Sequence, residues 1–165
     1  MRRALQVLAC LALLVGAAPA LAGELFEFEP GSWSKIAEAR AGRPYIVHLW
    51  GLTCAPCRTE LPEWGKLVAE KPGVEIVILH AERMPPDPQM VQEMLAESGF
   101  AAEATWAFAD GLAQRLRFEI DPKWRGELPV TIFVRADGSR EMLVGPANLD
   151  DVRVWIARQI AVRRP

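Results

Sequence analysis

Two cysteines separated by two residues are the side chains best suited to do chemistry in this 165-residue chain. Cys54 and Cys57 enclose an Ala-Pro dipeptide, and the third cysteine, Cys10, lies far upstream. A CxxC pair can be half of a zinc site, a structural disulfide or a redox dithiol. Structural zinc usually needs four ligands, and the two histidines, His48 and His80, lack the paired spacing of a zinc finger. We therefore predict no metal site.

The position of the pair favours a redox dithiol. A loop with two intervening residues offers almost no chain-entropy advantage as a structural disulfide. The apolar run Tyr45–Trp50 predicts a buried central strand, and the pattern from 55 to 70 predicts a helix. A helix N-terminus stabilises a thiolate, so we predict that Cys54 is the exposed nucleophile. Cys57, one helical turn later and facing inward, would resolve the mixed disulfide. Pro56 is acceptable in the first helical turn and is expected to affect the redox poise.

Residues 1–22 have the pattern of a secretory signal peptide. Arg2 and Arg3 precede an apolar run, and Ala20–Ala22 supplies small residues for cleavage. The alternative is an uncleaved membrane anchor, because the apolar stretch approaches the ~20 residues that span a bilayer. Cleavage would remove Cys10 and leave one domain, 23–165, with 17 basic and 21 acidic residues, a formal charge of −4. This charge gives no reason to expect a nucleic-acid partner, and the leader indicates a periplasmic or secreted, oxidising location.

The remaining pattern alternates helices and strands and predicts a single α/β domain. Predicted strands are Val74–Leu79, Trp106–Phe108, Val130–Val134 and Glu141–Val144, the last two joined in a hairpin by a turn at Ala136–Ser139. Predicted helices are Ser32–Arg40 with Ser32 as N-cap, Gln89–Ser98 with Met90, Met94 and Leu95 inward, Asp110–Arg117, and Leu149–Ile160 capped by Asn148. A proline-rich loop is expected at Met84–Pro88.

The segment WGLTCAPCRTELP, Trp50–Pro62, resembles the W-A-x-W-C-x-P-C-R-x-E-x-P signature of the thioredoxin superfamily. It is most similar to the secreted TlpA-like/ResA-like thiol–disulfide oxidoreductases. The similarity extends over residues 24–162 and includes the Leu128-Pro129 dipeptide, the Asp137-Gly138 turn and an insertion at about 80–105. The resemblance implies a thioredoxin-like α/β fold: a central mixed β-sheet flanked by helices, with the extra helix and strand of the TlpA-like branch.

The resemblance also assigns roles to residues around the dithiol. Pro129 matches the family's cis-proline, which packs beside the CxxC and lets the preceding backbone pair with substrate. Leu128 then occupies a position that helps to tune specificity, and Trp50 is expected to pack at the active site. Thr53 departs from the family, which often has tryptophan there. We therefore expect the surface around Cys54 to be more open and more polar.

Three further residues near the predicted site are His48, His80 and Trp124. His48 stands where thioredoxins usually place a buried acid. It would either relay the Cys57 proton near neutral pH or, when charged, favour the Cys57 thiolate electrostatically. The alternative is a core histidine with one backbone hydrogen bond. His80, just past a predicted strand, is expected to be a surface or loop residue. Trp124 would either line the substrate groove or be structural.

The sequence thus predicts an extracytoplasmic thiol–disulfide oxidoreductase that acts on cysteine pairs of other proteins. The resemblance implies a reductase of the cytochrome c maturation or copper-centre assembly type, which a membrane electron donor must keep reduced. We also expect a monomer without a bound cofactor. One alternative is a copper chaperone that binds Cu(I) through the CxxC. The CxxC spacing and the lack of histidine in 119–135 argue against it. The other alternative is an oxidant that introduces disulfides.

Overall fold

The computed structural model describes residues 23–82, 87–101 and 103–162. The strands are β1 (Leu25–Phe28), β2 (Tyr45–Trp50), β3 (Glu75–His80), β4 (Thr105–Phe108), β5 (Val130–Val134) and β6 (Arg140–Val144). The helices are α1 (Ser32–Glu38), α2 (Ala55–Ala69), α3 (Pro88–Leu95), α4 (Ala113–Ile120) and α5 (Leu149–Val162), with a single π-helical turn at Ala96–Phe100 after α3. The strands form one mixed sheet in the order β1-β4-β3-β2-β5-β6.

Strand β2 lies in the middle of the sheet and is buried along its whole length. It pairs in parallel with β3 and antiparallel with β5. Because side chains alternate across a strand, Val47 and Leu49 join the core under α1 and α4. Ile46 and Trp50 join the second core under α2, α3 and α5. His48 shares this second face, which is the face that carries the dithiol helix.

Helix α2 packs its buried side chains, including Leu61 and Trp64, against the second core. Its Gly65 lies directly against the backbone carbonyl of Ser98 in the π-helical turn, where a Cβ atom would overlap the oxygen. Phe100 of that turn is buried in the same core. The inserted helix and turn are therefore fixed to the helix that begins at the dithiol.

Several predicted elements are confirmed. The β5–β6 hairpin forms, and α5 begins after Asn148, whose Oδ1 accepts the Asp150 N–H at 3.0 Å. The insertion supplies α3 and β4, as the resemblance implies. The four-residue strand β1 was missed, because it is too short for a clear alternation. It is held by parallel pairing with β4 across 80 residues of sequence, from Leu25 to Thr105.

Other details of the prediction are wrong. Ser32 is the first residue of α1 rather than its N-cap, which is Gly31 at φ 90°. The Ser32 hydroxyl accepts the Glu29 N–H at 3.0 Å instead. Helix α4 begins at Ala113, three residues later than predicted. The turn before it contains Gly111 at φ 70°, a left-handed conformation that a helix does not continue through. Met90 is 54% exposed.

In α3 the inward positions are Val91 and Leu95, of which only Leu95 was predicted. Met94 is partly buried against the second core. The signal peptide or anchor, Cys10 and residues 84–86 of the expected proline-rich loop lie outside the described residues. Pro88, the last residue of that expected loop, is instead the first residue of α3. Among the described residues, no helix has the length and apolar content needed to cross a bilayer.

Candidate active site

The dithiol lies where β2 leaves the sheet and α2 begins. Cys54 and Cys57 form a disulfide with their Cα atoms 5.2 Å apart. Cys54 is the N-cap of α2, and its Sγ accepts the Cys57 N–H at 3.3 Å. Cys54 is half-buried, whereas Cys57 has no exposed surface, which agrees with the predicted outer and inner positions. Pro56 is exposed within the first turn. A thiolate at Cys54 would face unpaired N–H groups at the positive end of the helix dipole.

Three segments meet at this edge of the sheet. Strands β2 and β3 both end here, and the antiparallel strand β5 begins here. The peptide between Leu128 and Pro129, just before β5, is cis, as the resemblance implies. Together these segments line an open cleft of about 510 Å³ at Cys54. The residues that line it are Thr53, Cys54, Pro56, Glu82, Arg117, Gly126 and Leu128. Thr53 and Glu82 contribute polar side chains to this lining, and Pro56 and Leu128 contribute apolar ones.

His48 is fully buried on the α2 side of β2. Its Nδ1 lies 3.2 Å from the hydroxyl of Thr131 on β5, its ring stacks on Trp64 at 4.4 Å between centroids, and its Nε2 is 3.4 Å from Glu60 Oε1. Burial lowers the pKa of His48 to about 3. The imidazole is therefore neutral at neutral pH and does not favour a Cys57 thiolate as a cation. Its hydrogen-bond partner is a side-chain hydroxyl rather than the expected backbone group.

Glu60 is a buried acid on the same face of α2 as Cys57, one turn later. Its Oε2 accepts the backbone N–H of Ala147 at 3.0 Å. Burial raises the pKa of Glu60 to about 7, although the bond from Ala147 acts in the opposite direction. In the sequence, Glu60 stands out only as part of the Trp50–Pro62 motif. Its spacing of three from Cys57, which places both side chains on one helix face, is the signal that could have found it.

A second buried histidine and carboxylate lie beside Cys54. His80 has no exposed surface, so the prediction of a surface residue is wrong: strand β3 extends one residue further than expected and encloses it. His80 Nε2 lies 3.1 Å from Glu82 Oε2. Glu82 Oε1 accepts the N–H and the hydroxyl of Thr53 at 2.7 and 2.5 Å. Burial by itself would raise the pKa of Glu82, but the bonds from Thr53 and the contact with His80 lower it.

The two tryptophans near the site are both buried. Trp50 has no exposed surface and meets His80 edge-on at 5.2 Å between ring centroids, so it packs behind the site rather than lining the cleft. Trp124 is 6% exposed and belongs to the core under α1 and α4. Its indole N–H donates to the Glu127 carbonyl at 2.9 Å, which supports the loop that leads to Leu128. The structural interpretation of Trp124 therefore accounts for its contacts.

Solved structures with the same arrangement of elements include a secreted Mycobacterium tuberculosis disulfide oxidoreductase homologous to E. coli DsbE. It has 19% identity and a TM-score of 0.58 over 73% of this chain and 85% of that one. StoA from Bacillus subtilis has 18% identity and a TM-score of 0.55 over 70% and 83%. The fold is thioredoxin-like.

A secreted thiol-disulfide isomerase from Corynebacterium glutamicum shares this thioredoxin-like fold, with 18% identity and a TM-score of 0.57 over 75% of this chain and 74% of that one. No protein-family model and no curated protein sequence matches the chain. At these identities the likeness establishes the thioredoxin-like fold. The chemistry must be argued from the site itself.

Proposed function

We propose that this chain is a thiol–disulfide oxidoreductase that exchanges disulfides with cysteine pairs of other proteins. The observation that carries the proposal is the asymmetry of the dithiol: Cys54 is half-buried at a helix N-terminus beside an open cleft, and Cys57 is fully buried one turn later. An attacking thiol needs access and a stabilised thiolate, whereas a resolving thiol needs only to reach its neighbour.

Reduction of a client disulfide proceeds in two exchanges. The Cys54 thiolate attacks one client sulfur, forms a mixed disulfide and releases the other client sulfur as a thiolate. The Cys57 thiolate then attacks Cys54 Sγ, which releases the second client thiolate and leaves the Cys54–Cys57 disulfide. Two electrons pass from the dithiol to the client. Oxidation of a client dithiol follows the same steps in reverse.

Cys57 must lose its proton within the protein core before it can resolve the mixed disulfide. Glu60 is suited to accept that proton, because its pKa of about 7 leaves it partly ionised at neutral pH and it shares a helix face with Cys57. His48, with a pKa of about 3, is a much weaker acceptor. We therefore assign the role of proton acceptor to Glu60 and not to His48.

We further propose that the protein works outside the cytoplasm as a reductase that needs no bound cofactor and is re-reduced by a membrane electron donor. The leader pattern supports the location, and the solved structures of the same fold include proteins described as secreted. The clients proposed from the family resemblance are cysteine pairs in cytochrome c maturation or copper-centre assembly. A monomer suffices, because one chain contains both cysteines and the cleft.

The decisive experiment traps the mixed disulfide. The Cys57→Ser variant should accumulate covalent complexes through Cys54 in cells, which mass spectrometry can identify, and the matched Cys54→Ser variant should not. Reduction of insulin by the wild type, with and without Cu(I), distinguishes dithiol turnover from copper binding. Absence of trapped clients together with absence of insulin reduction would contradict the proposal. Equilibration with glutathione then gives the reduction potential, and a strongly oxidising value would overturn the reductase direction.

A further inference from the structure

We propose that Glu82 is a positioning residue for Cys54: its carboxylate fixes the backbone before the cysteine through Thr53 and places a negative charge beside the reactive sulfur. The proposal rests on the proposed function, because it concerns the nucleophile of that reaction. It is carried by a chain of contacts from His80 through Glu82 to Thr53, which is adjacent to Cys54 in sequence. None of these three residues belongs to the Cys54–Cys57 disulfide itself.

The carboxylate is built into the loop rather than lying on its surface. Glu82 is 8% exposed, and its Oε1 accepts both donors that Thr53 offers, at 2.7 and 2.5 Å. A Cβ atom on Gly51 would lie 2.6 Å from the same oxygen. The loop between β2 and Cys54 therefore wraps closely around the carboxylate, and this packing requires glycine at 51.

The opposite side of the carboxylate is held from within the core. His80 Nε2 lies 3.1 Å from Glu82 Oε2, and the His80 ring is fully buried against Trp50. The Ala81 N–H donates to the Trp50 carbonyl at 2.9 Å, which ties the end of β3 to the end of β2. Both oxygens of Glu82 thus have partners, and the group cannot turn away from Thr53 without losing them.

The carboxylate and Cys54 line the same cleft. Burial and the neighbouring carboxylate act oppositely on His80, and burial prevails: its pKa is lowered, so it stays neutral and does not cancel the charge of Glu82. Arg117 lines the same cleft and contributes a cation, whereas Glu60 is not among the residues that line it. A nearby negative charge disfavours a thiolate, so Glu82 opposes the stabilisation that the helix N-terminus gives to Cys54 and makes the dithiol more reducing.

The test isolates Cys54 in a Cys57→Ser background and measures its alkylation rate by iodoacetamide against pH. Glu82→Gln keeps the shape and the Oε1 acceptor but removes the charge, and should lower the Cys54 pKa by about 0.5 to 1, a three- to tenfold change in thiol ionisation. Glu75→Gln is the matched control. It removes a carboxylate from the opposite end of β3 and should leave the Cys54 pKa unchanged.

Thr53 supplies a second arm that keeps the proposal testable if the Glu82 variant does not fold. Thr53→Val removes the hydroxyl donor and leaves the carboxylate less neutralised, so it should raise the Cys54 pKa, in the opposite direction to Glu82→Gln. Thr53→Ser retains the donor and should match the wild type. Equal pKa values for Cys54 in Glu82→Gln, Thr53→Val and the parent would overturn the proposal.

The two proposals fail differently. With the intact dithiol, Glu82→Gln should also shift the glutathione equilibrium toward the reduced protein by up to about tenfold, which corresponds to about 30 mV. Insulin reduction without any shift in the Cys54 pKa refutes the role of Glu82 alone. A shift in the Cys54 pKa supports the role of Glu82 even if the wild type does not reduce insulin and the Cys57→Ser variant traps no clients, and those two failures together refute the oxidoreductase function.

Discussion

Replacing Glu60 with glutamine should change how the stability of the protein depends on pH. The Glu60 side chain is 10% exposed and faces His48 across 3.4 Å, so ionisation places a charge in the core beside a neutral ring. Glutamine has nearly the same shape and can still accept the Ala147 N–H, but it carries no charge. The variant therefore removes the titration of this site while preserving its packing.

The magnitude follows from the two pKa values. Burial raises the pKa of Glu60 from 4.5 to about 7. Between these values the folded protein holds a proton that the unfolded chain has lost, so the free energy of unfolding falls as pH rises. The stabilisation from the protonated form is complete below pH 4.5 and is lost as pH passes through 7. One pKa unit corresponds to about 1.4 kcal/mol, and the whole change is about 3 kcal/mol.

Urea denaturation of the oxidised protein from pH 4 to 8.5 measures this effect. Relative to Glu60→Gln, the wild type should lose about 3 kcal/mol across that range. His48 stays neutral in the folded state throughout, so its contribution is common to both proteins and cancels. Glu63→Gln on the exposed face of the same helix should follow the wild type. Parallel curves for wild type and Glu60→Gln would refute the assignment of a raised pKa to Glu60.

Two further variants test the structure around the dithiol. His48→Leu should leave the pH titration of the Cys57 thiol in the reduced protein unchanged, because an imidazole with a pKa of about 3 does not accept a thiol proton. A clear shift of the Cys57 titration would instead establish the relay. Gly65→Ala should lower the free energy of unfolding by about 1 to 3 kcal/mol, because its Cβ would overlap the Ser98 carbonyl. The control Lys66→Ala, on the exposed face of α2, should change it by no more than about 0.5 kcal/mol. A stabilised Gly65→Ala variant would show that α2 and the π-helical turn are not in contact.

The parts of the fold with strong local patterns could be predicted from the sequence. Strand β2 is a continuous apolar run, and α2 follows a cysteine N-cap with proline in its first turn. The hairpin between β5 and β6 carries its own turn residues. In contrast, β1 has only four residues, and its place in the sheet depends on β4, which lies far along the chain.

The candidate site was predictable only in its cysteines and in the Leu128–Pro129 peptide. Thr53 and Glu82 are 29 residues apart, and nothing local to either residue indicates that they meet. The loop before α5 brings the Ala147 N–H to Glu60, and nothing in the sequence near Glu60 indicates this contact. These contacts arise from the packing of elements that lie far apart in the sequence, and no local sequence pattern indicates them.

The contact between Gly65 and the Ser98 carbonyl has a mechanical consequence. At this point the backbone of α2 contacts the backbone of the π-helical turn with no side chain between them. The inserted segment therefore cannot shift along α2 by small side-chain adjustments. Local unfolding of the inserted segment should therefore require local unfolding of α2, so that the two open as a single cooperative unit. Such local unfolding of the inserted segment would also loosen the helix whose N-cap is Cys54.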